Sequence, residues 1–259
     1  MINNNGKNPE GEGRYIYCVV ETDRKKIFKN FGVDGEDVYT IRYRDISAVV
    51  SRCLAKPYQS NDSELVKKWL IQHAQVVDYF FERYDATLPS AFDTVIKGGD
   101  QEAKSWLKGE YSALKGKMEK VRGKQEFGAQ IFCDSKSLVD AVRKGSVEIH
   151  KMLNEIESKP RGLAYMYEQK LKEVMKKELE NKMEKYARDF YEAIRSHVDD
   201  LKAEKIKKGE GDQQMLMNLS CLTPKDRVPE LAGELDRING LRNFSVKFTG
   251  PWPAYSFMA

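Results

Sequence analysis

The spacing of apolar positions along this chain changes period several times, and each change marks an element. Tyr15 to Val20 (YIYCVV) is a short β-rich run. Val38 to Tyr43 alternates apolar and polar residues, the signature of a half-buried strand, and Ile46 to Ser51 (ISAVVS) is a third run three residues on. Arg44 and Asp45 between them suit a tight hairpin turn. Beyond Asn61 the period lengthens to that of a helix, with Glu64 three residues later as a capping-box-like pair. Val66, Trp69, Leu70, His73, Val76, Val77, Phe80, Phe81 and Tyr84 then form one wide apolar stripe. Leu88-Pro89 closes the segment, because the residue before a proline avoids the helical region. Ala91 to Ile96 reads as a fourth strand before the Gly98-Gly99 break. A second helix runs from about Asp100 to Val121, with Trp106, Leu107, Tyr111, Leu114 and Met118 inward.

Gly123 and Lys124 mark a boundary, and Phe127 to Cys133 opens a new strand. Helices follow from Ser135 to about Glu157, interrupted near Gly145. From Leu171 to Leu201 a 3.6-residue period predicts one long helix over residues 163–208, ended by Lys207-Lys208-Gly209. At 1.5 Å per residue it would be roughly 60 Å long, more than a small domain can cover. A polar turn over Gly209 to Asp212 leads to a strand at Met215 to Leu222. Pro224 suits the first turn of a helix that runs to Asn239. The last strand, Phe244 to Phe248, precedes an aromatic tail. The expected fold class is therefore α+β with two domains, 14–123 and 124–259, after a lead-in over 1–13. From Phe127 the order strand, helices, strand, helix, strand predicts a sheet with helices on one face, a modified ferredoxin-like sandwich with an enlarged first crossover.

Composition narrows the classes. The 259 residues are 41% hydrophobic and 32% charged, so a core can form beneath a densely charged surface. The 44 basic and 40 acidic residues are interleaved and leave a net charge of only +4, unlike the concentrated basic face of a nucleic-acid binder. No apolar run approaches the roughly 18–20 residues that span a bilayer. Met1 to Gly13 is rich in Asn and Gly, lacks an apolar stretch and is expected to be a disordered lead-in, not a signal peptide. Cys18, Cys53, Cys133 and Cys221 are far apart and are expected to be reduced, buried small hydrophobes. The tail, Phe248 to Phe257, holds Trp252, Tyr255 and two phenylalanines stiffened by Pro251 and Pro253, so it is built to dock. Trp252 is expected to wedge against its own second domain, with Tyr255 or Phe257 nearer the surface.

The chemistry of enzymes is hard to find. Gly116-Lys117 lacks both the hydroxyl residue and the upstream glycine of a phosphate loop, and no GxGxxG or GxSxG occurs. His73, His150 and His197 fall in separate helices, with no metal-ligand spacing. Catalytic, cofactor-binding and metal sites are therefore all expected to be absent. His73 sits on an apolar stripe, where a satisfied core histidine is the plain reading. The alternatives are an enzyme using His73 with a carboxylate or Cys53, and a ferredoxin-like nucleic-acid-binding module. The strand Phe127 to Phe132 lacks the flanking basic residues which the latter needs.

Six segments, in order, carry a resemblance. Tyr15 to Val20 resembles the opening strand, and Asp45 to Ser51 the DLAAVVS-like segment, of the gas vesicle accessory proteins of the GvpF/GvpL family. His73, Val76, Leu88-Pro89 and Phe92-Asp93-Thr94 resemble that family's H..V…LP.RFGT block; Glu126 to Ala129 resembles the start of its second domain, and Gly162 to Met166 its G.AYL entry to a long helix. Gly250-Pro251-Trp252-Pro253-Ala254-Tyr255-Ser256-Phe257 is close to its terminal GPWPPYSF. Where the family has Arg then Phe-Gly after Leu-Pro, this chain has Ser90-Ala91-Phe92-Asp93, which removes a candidate ion pair and a permissive backbone position. The resemblance implies a non-catalytic, cofactor-free cytoplasmic protein that acts in gas vesicle assembly and stays as a minor component on the gas-facing side of the shell. Its partners would be the small hydrophobic shell protein and other accessory proteins, with no nucleic acid or lipid membrane. The Leu88-Pro89 block and the tail make Leu88, Pro89, Phe92, Tyr255 and Phe257 the candidate partner-binding residues.

Overall fold

The computed structural model describes residues 11–207, 211 and 213–258. These divide into two compact units, one of residues 1–126 with Pro251–Ala259 and the other of Phe127–Gly250. The expected domains were 14–123 and 124–259, with the tail in the second; the division between the units falls at 126/127 and groups the tail differently. Its nine residues cluster with the first unit instead of the second.

The first unit is built around β1 (Glu12–Glu21), whose residues 13–20 are all buried. A continuous apolar run reads as a strand covered on both faces, and β1 occupies that position. Its neighbours are β4 (Ile46–Leu54) on one side and, on the other, the short strands β5 (Thr87–Pro89) and β6 (Val95–Lys97). β3 (Val38–Tyr43) and β2 (Ile27–Phe28) complete a six-stranded antiparallel sheet in the order β2-β3-β4-β1-β5, with β6 also on β1. The β3–β4 hairpin closes at Arg44-Asp45 as expected, and Arg44 takes φ 54° there. The register of β1 on β4 shifts between Ile16 and Cys18, so Tyr15, Tyr17, Cys18 and Val20 all belong to one core. α1 (Ser63–Phe81) begins with Asp62 as its cap and packs Trp69, His73, Val76, Val77 and Phe80 against those residues. α2 (Asp100–Val121) matches the expected bounds. The fourth strand was expected over Ala91 to Ile96; residues 91–94 form a turn after β5, and only Val95 and Ile96 of that stretch are strand, as the start of β6. β1 covers its length with two short pieces, and the chain bends between them through Asp93 at φ 66°. The lead-in expected over 1–13 mostly lies outside the described residues; Glu12 and Gly13 already belong to β1.

The second unit holds a four-stranded sheet in the order β10-β7-β9-β8, formed by β7 (Lys124–Asp134), β8 (Asp200–Ala203), β9 (Gln213–Pro224) and β10 (Phe244–Trp252). Three helices fill the β7–β8 connection: α3 (Ser135–Gly145), α4 (Val147–Glu157) and α5 (Arg161–Arg195). α6 (Val228–Asn239) links β9 to β10. Ser146 both ends α3 and caps α4, its hydroxyl accepting from the Ile149 N–H. The C-terminal half of α5 and α6 cover one sheet face through Phe190, Ile194, Leu231, Leu235 and Ile238. The N-terminal half packs on α3 and α4, through Leu171 against Val142, Ile149 and Met152.

The long helix expected over 163–208 stops at Arg195. Val198 and Leu201 keep a helical spacing in the sequence, but they join the core by another route. The Asp199 N–H donates to the Leu222 carbonyl, and Asp200 and Leu201 pair with Leu222 and Cys221 as β8. A β-branched residue followed by two aspartates is poor helix material, and strand pairing buries Leu201 equally well. Lys208 and Gly209, the expected stop, lie outside the described residues, as does most of the polar turn expected over 209–212. At 35 residues α5 is still about 50 Å long. Among the described residues, no helix is long and apolar enough to cross a membrane.

Candidate functional site

The tail and the His73 region meet within the first unit. Tyr255 to Phe257 forms a single 3₁₀ turn. Ser256 is held twice by the Glu126 carboxylate, its N–H donating at 2.9 Å and its hydroxyl at 2.6 Å. The Lys117 ammonium donates to the Met258 carbonyl, and Lys120 lies 5.5 Å from the centre of the Phe257 ring. Phe257 is only 1% exposed, while Trp252 is 50% and Tyr255 39% exposed. The expected roles are thus exchanged: Phe257 is the anchor, and the Trp252 ring does not serve as the buried wedge. The reason is local. Trp252 is the last residue of β10, whereas the 3₁₀ turn after Pro253 turns the Phe257 ring into the core.

Tyr255 leans on His73, its hydroxyl 3.5 Å from Nε2. His73 Nε2 also lies 3.2 Å from the Ser90 carbonyl. A carbonyl only accepts, so Nε2 carries the proton and Nδ1 accepts from the Tyr15 hydroxyl at 2.9 Å. The Tyr15 oxygen accepts in turn from the Asp93 N–H at 3.1 Å. The Asp93 side chain receives the Tyr58 N–H at 2.9 Å. Tyr17 stacks on the His73 ring and Phe92 meets it edge-on. Burial in this aromatic nest lowers the imidazole pKa to about 4, with the Ser90 hydrogen bond opposing the shift. Burial likewise raises Tyr15 and Tyr255 well above the ordinary phenol range and Tyr17 to about 12. The imidazole is thus neutral with both nitrogens engaged. Cys53, the other half of the enzyme alternative, is pushed up to about 11 by burial and is no ready nucleophile.

Of the five candidate partner-binding residues, Leu88, Pro89 and Phe257 are buried and present no free surface. Leu88 and Pro89 are interior because β5 pairs along β1, Pro89 facing Cys18. Phe92 and Tyr255 are brought together around His73, and Tyr255 keeps the larger exposed surface. Asp93 corrects a second expectation. The position where the resembling family has glycine is still left-handed here, with aspartate tolerated in that region. The permissive conformation is kept even though the permissive residue is absent.

Two grooves escaped the sequence reading. One, of about 740 Å³, lies beside β3 and the start of α2 in the first unit, with Lys25, Arg42, Arg52 and Lys104 facing Asp23, Glu36 and Asp100. Beneath it Asp100 accepts from Arg14 at 2.6 Å and from the Tyr39 hydroxyl at 2.7 Å. The other, of about 270 Å³, runs between α3 and α5 in the second unit and has an apolar floor of Val139, Val142, Met175 and Leu179. No signal along the chain could reveal it, because its two walls come from helices whose pairing is tertiary. Among the described residues there is no cluster of His, Cys, Asp and Glu able to hold a metal ion.

Comparison with known proteins gives one consistent picture. The profile of the family described as gas vesicle synthesis protein GvpL/GvpF matches residues 13–259. Gas vesicle protein L1 of Halobacterium salinarum is 27% identical over 253 residues, covering 95% of this chain and 90% of that protein. Gas vesicle protein F of Haloferax mediterranei is 24% identical, covering 94% of this chain and 92% of its own. The crystal structure of GvpF from Anabaena shares the fold with a TM-score of 0.77 at 17% identity, over 96% of this chain and 99% of that one. GvpF from Microcystis aeruginosa matches with a TM-score of 0.67 at 16% identity.

Proposed function

This chain belongs to the GvpL/GvpF family of gas vesicle synthesis proteins, and from that premise we propose that it is a non-catalytic assembly and minor structural protein that binds the small hydrophobic shell protein during vesicle formation. The match to that family over residues 13–259 carries the reading. We place its action in the cytoplasm and at the vesicle, on the gas-facing side of the shell, alongside other gas vesicle accessory proteins. Two observations support the non-catalytic part. The buried histidine that an enzyme would use is held neutral by burial, with Tyr15 and Ser90 on its two nitrogens, and burial raises rather than lowers the Cys53 thiol pKa. A client-handling role suits a densely charged surface with a small apolar groove, because such a protein stays soluble while offering limited apolar contact.

The second unit is read as a modified ferredoxin-like domain. Numbered within that unit, its sheet order is 4-1-3-2 with a helical crossover in each half, the β-α-β-β-α-β arrangement. Its modification is the three-helix first crossover. Co-purification tests the function directly: tagged protein from cells assembling gas vesicles should bring down the shell protein. Recovery of the tagged chain without shell protein, under conditions where vesicles form, would overturn the reading.

A further inference from the structure

The α3–α5 groove has the dimensions and charge of a helix-docking site, and we propose that it seats an amphipathic partner helix of about 14 residues whose aliphatic stripe is bordered by carboxylates. Val139, Val142, Met175 and Leu179 form the floor, and Lys172 and Lys176 on α5 form one lip. Both lysines are exposed; Lys176 reaches Glu180 only at 3.9 Å. The exposed face of α5 continues beyond the groove. Tyr165, 63% exposed, precedes Lys172 by seven residues and Leu179 by fourteen, so the three share one line along α5. That line is about 21 Å long, or four turns of a partner helix. Aliphatic side chains at three- and four-residue spacing would enter the floor, while carboxylates on the flank of the stripe would meet Lys172 and Lys176. Glu168 lies one turn before Lys172, so the partner's flank should carry its carboxylates toward the Leu179 end. Tyr165 also gives a use to the Gly162-Leu163-Ala164-Tyr165-Met166 segment, whose three large apolar side chains are exposed and make no contribution to the core. The groove lies wholly within the second unit.

The inference rests on the proposed client-binding role only in so far as the helix belongs to the shell protein, and the test separates the two. The probes are two labelled synthetic 14-residue amphipathic helices with the same leucine stripe, one flanked by glutamates and one by lysines, titrated by fluorescence anisotropy into the full chain. Wild type should prefer the acidic peptide by roughly three- to tenfold at low salt, as expected for two exposed ion pairs. Lys172→Glu with Lys176→Glu should reverse that preference, and Leu179→Ser should weaken both peptides. Equal binding of the two peptides, or a preference unmoved by the double reversal, would overturn the docking site. The same proteins are then titrated with detergent-solubilised shell protein. Weaker binding by the double reversal assigns the groove to this client. Binding that the reversal leaves unchanged removes the shell protein as its occupant while the peptide result stands, and failure of the wild type to bind shell protein defeats the client role alone.

Discussion

At the scale of the residue, His73 shows how one side chain can be polar, buried and chemically quiet together. It is 4% exposed, and Tyr15, Ser90 and Tyr255 surround its two nitrogens. Its folded pKa of about 4 lies below the ordinary value of 6.5 because burial opposes the charged form. Between those values the unfolded chain binds a proton that the folded chain does not. Stability is therefore full above about pH 6.5 and falls as the pH drops toward 4, by an amount on the order of 3 kcal/mol. Urea unfolding at pH 7.5 and 4.5 should show a larger loss for wild type than for His73→Gln, the comparison cancelling carboxylates common to both. Equal losses would mean that the imidazole is not held neutral by burial. Tyr15→Phe removes the donor to Nδ1 and the acceptor for the Asp93 N–H, and should cost about 1–3 kcal/mol at pH 7.5. That His73 is a buried, satisfied histidine was legible from its place on an apolar stripe. Its tautomer was not, because the Ser90 carbonyl and the Tyr15 hydroxyl arrive from distant positions in the chain.

At the scale of the element, short-range pattern located most helices and strands but not their destinations. The hairpin at Arg44-Asp45, the bounds of α2 and the break near Gly145 were all readable, since each depends on residues within a few positions. Residues 196–203 were misread because Val198 and Leu201 satisfy both a helical and a strand-edge burial pattern, and only pairing with β9 decides between them. The tail was legible as a docking segment, but neither its docking site nor its anchor was. Pro251, Trp252 and Pro253 carry the sequence signal, while Phe257 does the burying and Glu126 fixes the turn through Ser256. Phe257→Ala should cost about 3–5 kcal/mol, as for other buried aromatics, whereas Trp252→Ala should stay within about 0.5 kcal/mol. Thermal unfolding of the two variants beside wild type checks the contrast, and the opposite ranking would restore Trp252 as the clamp.

At the scale of the whole molecule, the sequence spoke through ordered resemblance more than through chemistry. Six motifs from Tyr15 to Phe257 pointed to a family whose profile covers residues 13–259, although no catalytic or ligand pattern stood out. The partner surface was less legible. Leu88, Pro89 and Phe257 were singled out as motif residues, yet motif residues in a family fold are often those that hold it together, and all three are buried. The groove on α3 and α5 belongs to no motif except through Tyr165. Separate locations for stability and recognition give a sharp expectation. Phe257 packs within the first unit, while Lys172 and Lys176 are exposed on α5 within the second. Their effects should therefore be independent. Phe257→Ala should lower the melting temperature but, well below it, leave the affinity for the acidic peptide within about twofold of wild type. The Lys172→Glu, Lys176→Glu chain should melt as wild type does, because exposed charges contribute little to folding, while losing its preference for that peptide. If the tail variant lost the preference as well, recognition would extend into the first unit and the exposed ring of Tyr255 beside His73 would become the next surface to change.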